Sequence, residues 1–144
     1  MPQSYYKLYF HFVWTTWNRE PILIGDVQHN AYNLIREQCI KQSAEILALG
    51  GVADHVHLLV NLSPSARPID LMQYVKGVTA RKLNERLASE ISGFKWQRGY
   101  GVQTVSPSHL SKVIRYIENQ EQHHQSGHLW PDAEPVDEAP ANDT

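Results

Sequence analysis

Apolar and polar residues alternate strictly at the start of the chain. Tyr6, Leu8, Phe10, Phe12 and Trp14 share one face, and Tyr5, Lys7, Tyr9, His11 and Thr15 share the other, which predicts a half-buried strand over 5–15. A turn over 16–21 follows. Asp26 then stands as N-cap of a helix to about Gln42, with Val27, Ala31, Leu34, Ile35 and Gln38/Cys39 at helical spacing. Ala44 to Leu49 reads as a second strand broken by Gly50-Gly51, and a third strand runs on to about Leu62. After a loop with two prolines, Leu71, Val75, Val78, Leu83 and Leu87 form the stripe of a long helix. Gly77 within it costs about 1 kcal/mol relative to alanine, which predicts close approach of another backbone.

Ser92-Gly93 closes that unit, and residues 94–105 read as a loop entering a last strand. Ser106-Pro107 opens a final helix to about His124, buried through Leu110, Val113, Ile114 and Ile117. The order βαββαβ predicts an α+β, ferredoxin-like fold: a four-stranded antiparallel sheet with two helices on one face. The additional C-terminal helix is expected to lie near the sheet and cover its open face. Residues 1–126 form one expected domain, and 127–144 an acidic, proline-rich tail expected to be flexible.

Composition narrows this picture. A chain of 144 residues, 42% of them hydrophobic, builds one domain around a single core. Cys39 is the one cysteine, so no intrachain disulfide forms, which fits a reducing cytoplasm. No apolar run approaches the length of a membrane span, so a soluble, cytoplasmic protein is expected. The sequence holds no P-loop, dinucleotide fingerprint or nucleophile-elbow serine, and no nucleotide cofactor is expected.

The net charge of −2 conceals an uneven distribution. Asp132, Glu134, Asp137, Glu138 and Asp143 crowd the tail; without them 13 basic residues face 10 acidic ones. From Lys76 to Arg115 the basic residues Lys76, Arg81, Lys82, Arg86, Lys95, Arg98, Lys112 and Arg115 oppose only Glu85 and Glu90. That half fits either a polyanion or a pair of solvated helix faces.

Two features carry candidate chemistry. In the strand Asp54-His55-Val56-His57-Leu58-Leu59-Val60, His55 and His57 project together while Val56, Leu58 and Val60 face the other way. Two imidazoles side by side on a rigid strand are either adjacent ligands for a divalent metal or a polar pair on a solvated face. On the last helix, Tyr116 and Gln120 lie one turn apart on a flank of the buried stripe. From there both side chains reach into a cleft, or the tyrosine simply packs with its hydroxyl in water.

Asp54-His55-Val56-His57-Leu58-Leu59-Val60 followed by Tyr116-Ile117-Glu118-Asn119-Gln120 resembles the single-tyrosine HUH transposases of small hairpin-flanked insertion sequences, which include the REP-associated type. The resemblance covers about Tyr5 to His124 and includes the basic stretch Lys76 to Lys82 and Trp96-Gln97-Arg98-Gly99-Tyr100, but not the acidic tail. It implies a transposase that cleaves and rejoins single-stranded DNA at hairpin-flanked ends. Tyr116 would be the nucleophile, leaving a 5′-phosphotyrosine and a free 3′-hydroxyl. His55, His57 and Gln120 would hold Mg²⁺ or Mn²⁺, with histidine favouring Mn²⁺. Lys112, one turn before the tyrosine, would be a further DNA-binding residue, and either it or the metal could favour the phenolate; His123 is a further candidate for proton traffic. Lys76, Arg81 and Lys82 would meet DNA phosphates, and Arg98 and Tyr100 would add a charge and a stacking surface worth on the order of 1–3 kcal/mol per base. A homodimer joined at its sheet edges is also implied. The alternatives are a ferredoxin-like single-strand nucleic-acid-binding protein without catalysis, and a domesticated hairpin-nicking relative.

Overall fold

The structure, a computed structural model, describes residues 5–91, 93–120 and 134. The elements run β1 (Tyr9–Thr15), α1 (Gly25–Lys41), β2 (Ala44–Val52), β3 (His55–Leu62), α2 (Pro68–Arg86), β4 (Gly101–Val105) and α3 (Leu110–Glu118), with short 3-10 turns at Trp17–Arg19 and Pro107–His109. The strands form one sheet in the order β2-β3-β1-β4, every neighbouring pair antiparallel. This is the α+β layout expected of the sequence. β3 lies between β1 and β2, and β1 between β3 and β4, so the two βαβ units interleave. The middle of the sheet is made by β1 and the histidine-bearing β3.

The period of two along each strand separates two apolar clusters. Phe12 and Trp14 of β1 and Val56, Leu58, Val60 and Leu62 of β3 pack with Ala31, Leu34, Ile35 and Cys39 of α1 and Leu71, Met72, Val75 and Leu83 of α2. On the opposite face Leu59 and Ala48 pack with Val113 and Ile117 of α3. The last helix thus covers the face that α1 and α2 leave open. Both faces of β1 are consequently buried from His11 to Thr15, where the alternation alone predicts a half-buried strand.

Local details differ from the sequence expectations for tertiary reasons. β1 begins at Tyr9 rather than Tyr5. α1 begins at Gly25, so Asp26 lies inside its first turn, where a carboxylate still opposes the helix dipole. β2 continues through Gly50 and Gly51, and the chain turns at Ala53-Asp54 instead. Those glycines are required by close approach: a Cβ on Gly50 would collide with the Ile117 carbonyl oxygen, and one on Gly51 with that of His55. Gly77 meets nothing; the position is exposed on α2 with open space around it, so no second backbone approaches there. Among the described residues no helix is long and apolar enough to cross a membrane.

Candidate metal and nucleophile site

His55 and His57 leave β3 toward α3, and both side chains are 0% exposed. A polar pair on a solvated face is thereby excluded. Their ring centroids stand 5.1 Å apart. Each ring is held through Nδ1, and each turns Nε2 toward the same region. His55 Nδ1 lies 2.7 Å from Asp54 Oδ1, and Arg19 Nε donates to Asp54 Oδ2 at 3.2 Å. Arg19 reaches that carboxylate from a loop that takes left-handed backbone angles at Asn18 (φ 53°) and Arg19 (φ 52°). His57 Nδ1 lies 2.8 Å from Nε2 of His11, a buried β1 residue whose ring stacks on it at 5.0 Å.

α3 supplies the other side. Gly50 pairs with His57 in the β2–β3 register, and its missing side chain admits the Ile117 backbone directly above the histidines. Tyr116 and Gln120 flank Ile117 and are 6% and 1% exposed. The Tyr116 ring meets His57 edge-on at 6.0 Å between centroids. Gln120 Nε2 donates to the Tyr116 carbonyl at 3.2 Å, which turns Oε1 toward His55 Nε2 at 3.4 Å. Tyrosine, glutamine and both histidines therefore converge within one subunit.

Glu134 completes the cluster. One carboxylate oxygen accepts the hydrogen bond of the Tyr116 hydroxyl. The other lies 3.3 Å from His55 Nε2 and 3.7 Å from His57 Nε2. The ligand atoms of His55, His57 and Glu134 all fall within 4.8 Å of one another. Two imidazole nitrogens and a carboxylate oxygen at that spacing, with an amide oxygen beside them, fit the shell of one divalent cation, whose ligands sit at about 2.0–2.6 Å.

The electrostatics follow from burial and pairing. Desolvation works against a charged His55, but its hydrogen bonds to Glu134 and Asp54 outweigh it and raise the imidazole above its ordinary value. Burial likewise opposes the Glu134 carboxylate, yet His55 and the Tyr116 hydroxyl bonded to it, with the His57 ring close by, hold it well below the usual range. Asp54 is lowered against its own burial by His55 and Arg19. His11 behaves oppositely: burial, reinforced by His57, drives it down to about 3 and keeps it neutral.

The expected DNA-contacting residues lie elsewhere. Lys76, Arg81 and Lys82 are on α2, in the helix layer across the sheet from α3. Lys76 Nζ donates to the carbonyls of Gln97 at 2.9 Å and Gly99 at 2.7 Å, which ties α2 to the loop before β4. Tyr100 is half-buried with its ring edge-on to Phe12 at 5.9 Å, while Arg98 is exposed. Lys112 is exposed on α3, one turn before Tyr116. His123 lies outside the described residues, as does the acidic tail apart from Glu134.

Three participants escape a sequence reading. His11 carries a signal, being a histidine on the site-facing side of β1. Asp54 adjoins the His-x-His run. Glu134 is one of five acids in a proline-rich stretch and has no local mark of its placement.

The family model described as "Transposase IS200 like" matches residues 4–120. The chain is 29% identical over 122 residues to the ISDra2 transposase TnpA of Deinococcus radiodurans, covering 80% of this chain and 85% of that protein. It is 27% identical over 115 residues to the transposase for insertion sequence element IS200 of Salmonella typhimurium, covering 77% and 75%. A crystal structure of a Deinococcus radiodurans transposase superposes with a TM-score of 0.67 at 29% identity, over 83% of this chain and 95% of that one. A REP-associated tyrosine transposase bound to a REP hairpin shares the fold with a TM-score of 0.63 at 16% identity, over 97% and 91%.

Proposed function

Because the chain belongs to the IS200-like transposase family, we propose that it cleaves and rejoins single-stranded DNA at hairpin-flanked ends with Tyr116 as nucleophile. The observation that carries this reading is one meeting point: the Tyr116 hydroxyl and both histidine Nε2 atoms face the same carboxylate in one subunit. The Tyr116 oxygen forms a bond to phosphorus as the bond from phosphorus to the 3′ oxygen breaks. A 5′-phosphotyrosine and a free 3′-hydroxyl result, the phenol proton ultimately balancing the new hydroxyl. Attack by a second 3′-hydroxyl reverses the step and rejoins the strand without ATP. The relative of known structure bound to a REP hairpin supports a folded single strand as the substrate.

His55, His57 and Gln120, with Glu134, are the residues that would hold a divalent cation, and two imidazoles among the ligands favour Mn²⁺ over Mg²⁺. Bound there, such a cation would neutralise charge developing on the phosphate. The chain's own part is to orient: β3 fixes the imidazoles and α3 fixes the phenol. Glu134 is a poor base for a phenol of ordinary pKa about 10, because its neighbours hold its own value so low. Its hydrogen bond aims the Tyr116 hydroxyl and does not deprotonate it.

Incubation with hairpin-bearing single-stranded oligonucleotides and Mn²⁺ is expected to give a protein–DNA adduct that survives denaturing electrophoresis, and Tyr116→Phe is expected to abolish it. An adduct persisting in Tyr116→Phe would remove Tyr116 from the role. Hairpin binding without any adduct would favour a binding protein without catalysis. A homodimer joined at its sheet edges is part of the same proposal, and sedimentation of the free protein and of its hairpin complex measures it.

A further inference from the structure

His11 lies on β1 beneath α3, two residues from Val13, the register partner of His57. It is 4% exposed, and its Nε2 sits 2.8 Å from His57 Nδ1 with the two rings stacked. Two imidazole nitrogens at that distance share one proton, so one nitrogen donates and the other accepts. The arrangement has two solutions with different consequences. If His57 Nδ1 carries the proton, His57 Nε2 presents a lone pair toward Glu134 and the site. If His11 Nε2 carries it, His57 must hold its own proton on Nε2, and the site loses a nitrogen ligand.

The companion histidine shows the pattern. His55 Nδ1 faces Asp54, a carboxylate that can only accept, which fixes the proton on Nδ1 and aims Nε2 at Gln120 and Glu134. His11 occupies the equivalent place behind His57, an imidazole nitrogen at 2.8 Å where His55 has a carboxylate. Building on the metal site proposed above, we propose that His11 is a positioning residue that holds His57 in its Nδ1–H tautomer, so that Nε2 of His57 is the ligand. A backing carboxylate on one side and a backing imidazole on the other make the two ligands unequal: His55 is the more basic donor, and His57 the less basic one.

The test uses the full chain with Mg²⁺, which is diamagnetic, for the tautomer and Mn²⁺ for affinity. Nitrogen-15 NMR of the Mg²⁺-loaded protein should show His57 protonated on Nδ1, and His11→Phe, which keeps an aromatic ring but removes the acceptor, should lose that signature. Mn²⁺ affinity, read from the free-ion signal in electron paramagnetic resonance, should fall about 10- to 100-fold in His11→Phe. His11→Gln places an amide oxygen near the former Nε2 and should restore both readouts to within a few-fold, which a merely space-filling role would not do. Circular dichroism checks the fold of each variant, and if His11→Phe fails to fold, the wild-type tautomer and His11→Gln decide. An Nε2–H tautomer of His57 in the wild type, or wild-type Mn²⁺ affinity in a folded His11→Phe, overturns the assignment while leaving the metal site intact. Absence of Mn²⁺ uptake in the wild type, or uptake indifferent to His55→Ala, overturns the metal site itself.

Discussion

Three side chains of the candidate site have one atom committed to the fold and another turned to the cluster. His55 and His57 are held through Nδ1, and Gln120 spends its amide nitrogen on the Tyr116 carbonyl. Such pre-orientation avoids ordering the side chains anew when a cation or phosphate arrives. Glu134 adds a negative charge to this neutral donor set. Glu134→Gln keeps the volume but removes that charge, and Mn²⁺ affinity is expected to drop at least the roughly 10-fold typical of losing even an outer partner. Calorimetric titration measures it, and unchanged affinity would exclude Glu134 as a ligand. Periods of 2 and 3.6 put His55 with His57 and Tyr116 with Gln120 on one face each, and only the family resemblance joins the two pairs into one site. Glu134 was not legible in the sequence, because it lies 79 residues from His55 and no local periodicity reports a contact over that separation.

At the scale of elements, what governs the site is how closely α3 lies on the sheet. Gly50 sits beside His57 in β2, and the Ile117 carbonyl fills the space its side chain would occupy. Gly50→Ala therefore forces α3 outward and draws Tyr116 and Gln120 away from the histidines. The expected cost is about 1–3 kcal/mol of stability, as for overpacking generally, with adduct formation falling in parallel. Urea unfolding and the adduct assay check the two effects, and an unaffected variant would mean that α3 is not seated as described. By pattern alone these glycines read as a strand break, because glycine is a poor strand former. Their reason is the helix above and the hairpin below, which single-sequence patterning does not register. Gly77 shows the reverse error, a glycine credited with a close contact where the helix face is open.

Across the whole molecule, one sheet separates two tasks: a large core under α1 and α2, and a smaller cluster with the site under α3. The element order was legible from the alternation of periods, since helices and strands each repeat on their own spacing. Charge was less informative, because a basic count does not say which layer carries it. Arg81 is exposed on the layer opposite Tyr116, whereas Lys76 is bound to two loop carbonyls. Arg81→Ala is expected to weaken single-stranded DNA binding of any sequence and to reduce the slope of log affinity against log salt by about 0.7. Lys76→Ala should also lower the melting temperature, since the loop before β4 loses its anchor; binding titrations at several salt concentrations and thermal unfolding separate the two.

The alternation in β3 also bears on how such a gene can change. Losing the codon between His55 and His57 would rotate every later residue of β3 to the other side, carrying the second imidazole into oil and Leu58 and Val60 toward the last helix. Descendants of this chain can therefore drift by substitution along β3 but not by gain or loss of length, so alignments of active copies should be gapless there.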